Sequence, residues 1–468
     1  MGEIVYDLIC LGAGTAGISC ALRSAQLGKK VCVIEKSHIG GKNLHRGFLT
    51  RYLFHTATSI YDDLKEATQF GIQTKRKKQK LNDVKLSWNT LRRQIHNFEK
   101  QQETQTLNML SEQGIKIIKG HGRFVSSEEI FVEGDIENTT IKANNILIST
   151  GGEYMIPQVP GFNEAITFDD VFSLTRPPKT AIVLGSQAIA AELSSILSHF
   201  DTKVALCCET PFICSEFDHE ITQAAMKVLT RKGTTIYTDA LFSNLQKLPS
   251  KILRLLILHK TNTNLTAEKV ILADRRGHYI NDLDLDTAGI ELKDNEHILV
   301  DEYDATSVKN IYAIADAVNK PMLYPVAKMS GELLAERLFG KGRKEKDKYK
   351  LKCEFIPSAV HCGITMAKCG YTEKQAKSLF DKVAVYTYNG TQSLFKRPSP
   401  HILKIICHKT NKETVIGMHG IGRNVDEVIS GYSIAMNKGL LKEDLERFSA
   451  ISETTAEDFC NAINTKAI

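Results

Sequence analysis

The sequence predicts an α/β protein built around two parallel-sheet lobes, on three observations. An apolar strand, a glycine-rich turn, a helical run and a second strand follow one another near the N-terminus, and the same order returns from residue 180. At 468 residues and 42% hydrophobic content the chain also exceeds what one core usually supports, so roughly two to four domains are expected.

The first unit starts with the apolar run Ile4 to Leu11, which reads as a buried strand. Gly12-Ala13-Gly14-Thr15-Ala16-Gly17 follows, then a helical pattern through Leu22 and Leu27, then a strand from Val31 to Ile34 closed by Glu35. In this register the parts make a Rossmann-like dinucleotide fingerprint. Gly12 permits the tight turn, Gly14 lets the backbone approach a pyrophosphate, and Gly17 allows close helix packing. The helix N-terminus attracts phosphate, and Glu35 is placed for a ribose 2′-hydroxyl.

The second unit runs from Thr180 to Glu209. A strand at Ala181 to Leu184 leads into Gly185-Ser186-Gln187, a helix carrying Ala190 and Glu192, and a strand from Lys203 to Cys207 with Glu209 just beyond. Gln187 stands at the middle glycine position, where a side chain crowds the place of a pyrophosphate. Two readings stay open for this unit: a working dinucleotide site, or an inert lobe of the same shape.

The stretch Gly40-Gly41-Lys42-Asn43-Leu44-His45-Arg46-Gly47-Phe48-Leu49-Thr50-Arg51-Tyr52 resembles a known active-site segment. It is that of the class I pyridine nucleotide-disulfide oxidoreductases, the family of dihydrolipoamide dehydrogenase and mercuric reductase, which reads roughly Gly-Gly-x-Cys-Leu-Asn-x-Gly-Cys-Ile-Pro-Ser-Lys. The frame of Gly40, Gly41, Leu44 and Gly47 is kept. The redox cysteines fall on Asn43 and Phe48, neither of which forms a thiolate or a disulfide. The active-site lysine falls on Tyr52.

This resemblance covers nearly the whole chain and implies its cofactors. Asn145 to Gly152 is similar to the family's Ala-Thr-Gly segment beside the flavin nucleotide, which places Thr150 and Gly151 there. Ala305 to Asp316 is similar to Thr-Ser-x-x-x-Ile-Tyr-Ala-x-Gly-Asp, so Asp316 is implied to hold the ribityl chain of FAD; Ala315 replaces the usual glycine, and its methyl group is expected to crowd the flavin. In the second unit the likeness implies NAD(H), held by Gly185, Gln187, Ala190, Glu192 and Glu209. A non-glycine middle residue also occurs in mercuric reductases. Glu209 lies near where NADP-dependent relatives carry arginine, and its charge repels a 2′-phosphate. From Phe355 through Gly417-Met418-His419-Gly420-Ile421-Gly422 to Glu457 the tail looks like the family's α+β interface domain, which implies a homodimer.

Further departures gather at the chemistry. The family's His-Pro-Thr-x-x-Glu segment becomes Ser452-Glu453-Thr454-Thr455-Ala456-Glu457, so the catalytic base is lost at Ser452 while Glu457 is retained. Glu192 keeps the glutamate that the family pairs with its lysine. Either this carboxylate faces the flavin with Arg51 as substitute cation, or it pairs locally. His45, between the emptied cysteine positions, is the sort of polar residue the family commonly has there.

Composition narrows the classes. The 11 cysteines form no CxxC and no metal-ligand spacing, and Cys10, Cys32 and Cys207 sit in apolar patterns, which reads as reduced buried thiols, no metal site and a cytoplasmic setting. Cys207-Cys208 reads as core packing. A net charge of +6 calls for no nucleic acid, and the basic run Lys75 to Lys80 reads as a solvated loop. No apolar run reaches the length of a membrane span, and no basic leader precedes the first strand. The expected domains are 1–152 and 275–350 for FAD, 153–274 for NAD(P), and 351–468 for dimerisation. The expected function is an FAD-dependent oxidoreductase passing hydride from NAD(P)H to a small non-disulfide acceptor. The competing class is a degenerate flavoprotein acting as a dimeric scaffold.

Overall fold

The computed structural model describes residues 5–45, 47–73, 83–258, 262–274, 276–293, 297–390, 399–409 and 412–464. The basic run 75–80, Arg275 and the last four residues lie outside them, as do the side chains of Asn43, His45 and Phe48. The chain forms two compact units, one of residues 1–53, 90–155 and 276–351, the other of 54–89, 156–275 and 352–468.

In the first unit, five parallel strands lie in the order Lys116–Phe124, Val31–Glu35, Leu8–Leu11, Ile146–Ile148, Ile311–Ala313. Successive residues of these strands enter opposite cores. Ile9, Leu11, Cys32 and Ile34 join one cluster, while Leu8, Cys10, Val31 and Val33 join the other. A sheet buried on both faces demands such unbroken apolar strands. Lys116–Phe124 also starts an antiparallel extension through Glu129–Gly134 to Thr139–Ala143. The single strand expected from Ile4 to Leu11 is broken: the Asp7 carboxylate accepts from Lys30 N at 2.9 Å, and Val5–Tyr6 leaves to pair with Lys142 and Ala143. The helix Thr15–Gln26 packs against Tyr324–Phe339 at Gly331, where a Cβ would stand 2.8 Å from Cys20 N.

The second unit holds another parallel sheet, in the order Thr235–Tyr237, Lys203–Cys207, Thr180–Leu184, Lys269–Leu272, Ile166–Thr167. Beside it stand an antiparallel sheet of Leu241–Lys247, Leu253–Leu258 and Asn262–Ala267, and a five-stranded antiparallel sheet from Ser358 to Ile421 with helices Val425–Met436 and Thr455–Ile463. The last sheet carries a buried lysine. Lys404, 2% exposed, is matched by Asp218 at 2.8 Å and Glu373 at 2.5 Å, which is what makes its burial tolerable.

Candidate functional site

The first fingerprint turn is shaped by backbone contacts around three glycines. Gly12 has φ +100°, and a Cβ there would lie 2.6 Å from Ser149 O. At Gly17 a Cβ would overlap the Gly12 carbonyl and reach 2.6 Å from Ser149 Oγ, so these two glycines serve packing. Gly14 differs. A Cβ there would meet no described atom within 4 Å, which leaves open space over the start of the helix Thr15–Gln26. Gly40 (φ +100°) donates its N–H to Ala13 O at 2.9 Å, and at Gly41 a Cβ would stand 2.8 Å from Gly14 Cα. The two turns therefore build one cradle.

Glu35 closes the strand Val31–Glu35 with its carboxylate turned back to the same turn. Its Oε2 accepts from Ala13 N and its Oε1 from Ser37 N, both at 2.7 Å. Glu35 also lines an open cleft with Gly12, Lys36, Gly120, His121, Thr150 and Tyr279. The Lys36 ammonium lies 3.5 Å from the centre of the Tyr279 ring, and Thr150 Oγ1 donates to Tyr279 O at 2.6 Å, while Tyr279 N donates to Gly151 O at 3.0 Å. Sequence reasoning missed His121 and Tyr279; the Gly120-His121-Gly122 spacing inside a strand was the available signal for close approach. Asp316 comes beside the Gly151-Gly152 turn, with Oδ2 3.8 Å from a Cβ built on Gly152. Its neighbour Ala315 has φ +56°, and its methyl joins the core cluster of Leu8, Cys10 and Ala13. The glycine's replacement by alanine thus leaves backbone strain at a buried position.

The second fingerprint turn is formed, and an acid sits on it. Gly185 has φ +153°, and the helix Ala188–His199 begins with Gln187 as N-cap. The carboxylate of Asp274 accepts from Ser186 N, and its Oδ2 accepts from Gln187 N at 2.5 Å. A Cβ on Gly185 would lie 2.5 Å from that oxygen. Gln187 itself is exposed, so the group lying over the turn is Asp274, which the sequence reading did not consider. An acid just past the apolar strand Lys269–Leu272 was the available signal. Burial pushes the Asp274 carboxyl up to about 6, against the opposing pull of the Gln187 and Ser186 amides, with Glu216 adding to the rise. Ala190 is fully buried, and Glu209 N donates to Ser186 Oγ at 3.1 Å.

Glu192, 4% exposed, accepts from the backbone N–H of His361 at 2.9 Å, so its carboxylate is engaged within its own unit. The His361 ring stacks on His55 at 4.4 Å between centroids. Tyr52 is 46% exposed. Ser452 Oγ donates to Glu457 Oε1 at 3.4 Å, and Glu457 Oε2 accepts from Glu453 N at 2.7 Å, so the retained acid supports the loop before the last helix. Cys207 and Cys208 are fully buried; burial pushes the Cys207 thiol up to about 12, and that of Cys208 up as well.

The cradle fits FAD: open space at Gly14 over a helix N-terminus suits a pyrophosphate, and the adjoining cleft with a carboxylate suits a nucleoside. Among the described residues no helix is long and apolar enough to cross a membrane. A family model for pyridine nucleotide-disulphide oxidoreductases matches residues 6–331, and the model of that family's dimerisation domain matches residues 356–463. The chain is 25% identical over 468 residues to a glutathione reductase of Nostoc sp. strain PCC 7120, covering 97% of this chain and 98% of that one. The chain belongs to the pyridine nucleotide-disulphide oxidoreductase family, as an FAD-dependent oxidoreductase that uses NAD(P)H.

Proposed function

We propose that this chain moves a hydride from NAD(P)H through FAD to a small acceptor that is not a disulfide, such as a quinone, oxygen, a metal ion or another nicotinamide. The observation that carries this reading is the pair Asn43 and Phe48 at the dithiol positions. Two electrons leave NAD(P)H as hydride; a quinone or oxygen takes them up with two protons, one of them drawn from solvent, another nicotinamide takes them as hydride, and a metal ion takes the electrons and leaves the proton to solvent. When bound, FAD supplies a two-electron carrier between the two half-reactions. The chain's own residues would hold it: Gly14 leaves room for the pyrophosphate in a turn that Gly12, Gly17, Gly40 and Gly41 let pack closely, Glu35 takes ribose hydroxyls, and Thr150, Gly151 and Asp316 border the flavin end. Buried thiols give no substitute dithiol, because a protonated cysteine does not attack a disulfide: burial raises Cys207, Cys214 and Cys362 far above neutrality, and a hydrogen bond with Cys20, then burial, does the same for Cys10. Glu209 favours NADH over NADPH.

The same reading assigns 1–152 and 275–350 to FAD, 153–274 to NAD(P)H and 351–468 to a homodimer interface, in a cytoplasm that keeps the thiols reduced. Visible absorbance with and without anaerobic NADH tests it, beside NADH-dependent reduction of lipoamide and glutathione disulfide. A yellow protein bleached by NADH, with disulfide reduction no faster than free flavin gives, is the expected result. Robust turnover of either disulfide would overturn the acceptor class, and a flavin that NADH never bleaches would leave the dimeric scaffold.

A further inference from the structure

The geometry points to Asp274 as a built-in occupant of the phosphate seat in the second lobe: a dinucleotide pyrophosphate binds there only when this carboxylate gives up the amides of Ser186 and Gln187. The inference deepens the proposed use of NAD(P)H and rests on it.

The placement follows from the sheet. Lys269–Leu272 pairs in parallel with Thr180–Leu184, and Ala273 N continues the ladder by donating to Leu184 O at 3.0 Å. Extending that register sets Ala273 opposite Gly185 and Asp274 opposite Ser186, just past the carboxyl end of the neighbouring strand. The sheet grows to one side of Thr180–Leu184 with Lys203–Cys207 and to the other with Lys269–Leu272. Ligands of doubly wound sheets enter the crevice at such a reversal. The amides at the start of the helix are the anion-binding groups of the fold, and here an internal anion already accepts from them.

Two anions compete for one set of donors, so dinucleotide and Asp274 exclude each other. The acid is not a fully satisfied cap. Its Oδ2 accepts two amides, whereas Oδ1 is buried with no hydrogen-bond partner among the described residues. A half-satisfied buried carboxylate is costly to keep charged. Among the titratable groups around the turn, Glu216 on the loop beyond the strand Lys203–Cys207 deepens that cost, while the neighbouring thiols of Cys208 and Cys214, pushed up by burial, stay neutral. Protonation weakens the hold of Asp274 on the amides, so acidification toward its raised pKa of about 6 favours release and dinucleotide entry.

The test is calorimetric titration of the purified full-length protein with ADP-ribose, which carries the pyrophosphate without the redox ring, alongside anaerobic NADH bleaching of the flavin. Wild type is expected to bind about tenfold tighter at pH 5.5 than at pH 7.5, as a single blocking acid implies. Asp274→Ala should bind at least about tenfold tighter than wild type at pH 7.5 and lose most of the pH dependence. Asp274→Asn, which keeps shape and removes charge, covers the case in which the alanine variant does not fold. Equal affinities in wild type and both variants, or tightening by Gln187→Gly alone, would overturn the plug. Unchanged ADP-ribose affinity with a flavin that NADH still bleaches sinks the plug and spares the proposed function. Tightened ADP-ribose binding with a flavin that never bleaches supports the plug and sinks hydride transfer.

Discussion

His419 is fully buried, and its Nε2 lies 2.9 Å from the carbonyl of Tyr371, which makes Nε2 the protonated nitrogen. Its Nδ1 is buried with no hydrogen-bond partner among the described residues. Burial, with Lys368 and Lys404 nearby, lowers this imidazole to about 4 despite the pull of Asp218 and the Tyr371 carbonyl. The unfolded chain takes up the proton near pH 6.5 and the folded one only near 4, so the stability contributed by the neutral ring is present above about 6.5 and lost as pH falls toward 4. His419→Gln keeps a donor for Tyr371 and removes the titration. Thermal melts from pH 7.5 to 4.5 should show the wild type losing about 2 kcal/mol more than the variant over that window. Parallel curves would refute the assignment. None of this was legible in the sequence, where His419 is one polar letter in an apolar strand; its meaning depends on a carbonyl 48 positions away.

At the scale of the element, the first fingerprint could be read because strand, turn and helix are contiguous and each glycine has a local steric reason. The structure separates those reasons. Gly14 has φ −78° and ψ −179°, a conformation open to any residue, and space beyond it, whereas Gly17 is pressed on the Gly12 carbonyl. Gly17→Ala should therefore destabilise the apoprotein by about 2 kcal/mol or more through overpacking. Gly14→Ala should leave the apoprotein melt unchanged or slightly raised, since alanine restricts the unfolded chain, while weakening FAD at least about tenfold. Apoprotein melts and FAD titrations check both. Comparable destabilisation by the two, or unchanged flavin affinity in Gly14→Ala, would contradict the division of roles. The second turn was read only in part. Its blocking group, Asp274, comes from a strand some 90 residues later, and strand order is invisible to local pattern.

For the molecule as a whole, two repeats of one β-α-β pattern announced the two parallel sheets, the C-terminal sheet was legible only through likeness to a family, and the antiparallel strands of 129–143 and 241–267 were not foreseen. The break at Asp7 and the gathering of 54–89 with the later segments arise from distant contacts, which no window of sequence contains. The assembly is where the dimerisation domain makes its demand. In that domain Ile434 is 71% exposed on the helix Val425–Met436, and Phe448 and Ile451 are 54% and 79% exposed ahead of the final helix. Large apolar side chains held in water in this way are what a self-complementary interface covers. Each contributes about 2 kcal/mol when buried, and in a twofold dimer each counts twice. A charge at either isoleucine appears on both sides of the axis and must be desolvated twice. Ile434→Asp with Ile451→Asp should shift the protein from dimer to monomer in sedimentation velocity at micromolar concentration, with the far-ultraviolet circular dichroism unchanged. A variant that sediments as the wild type does would place the interface elsewhere on this domain.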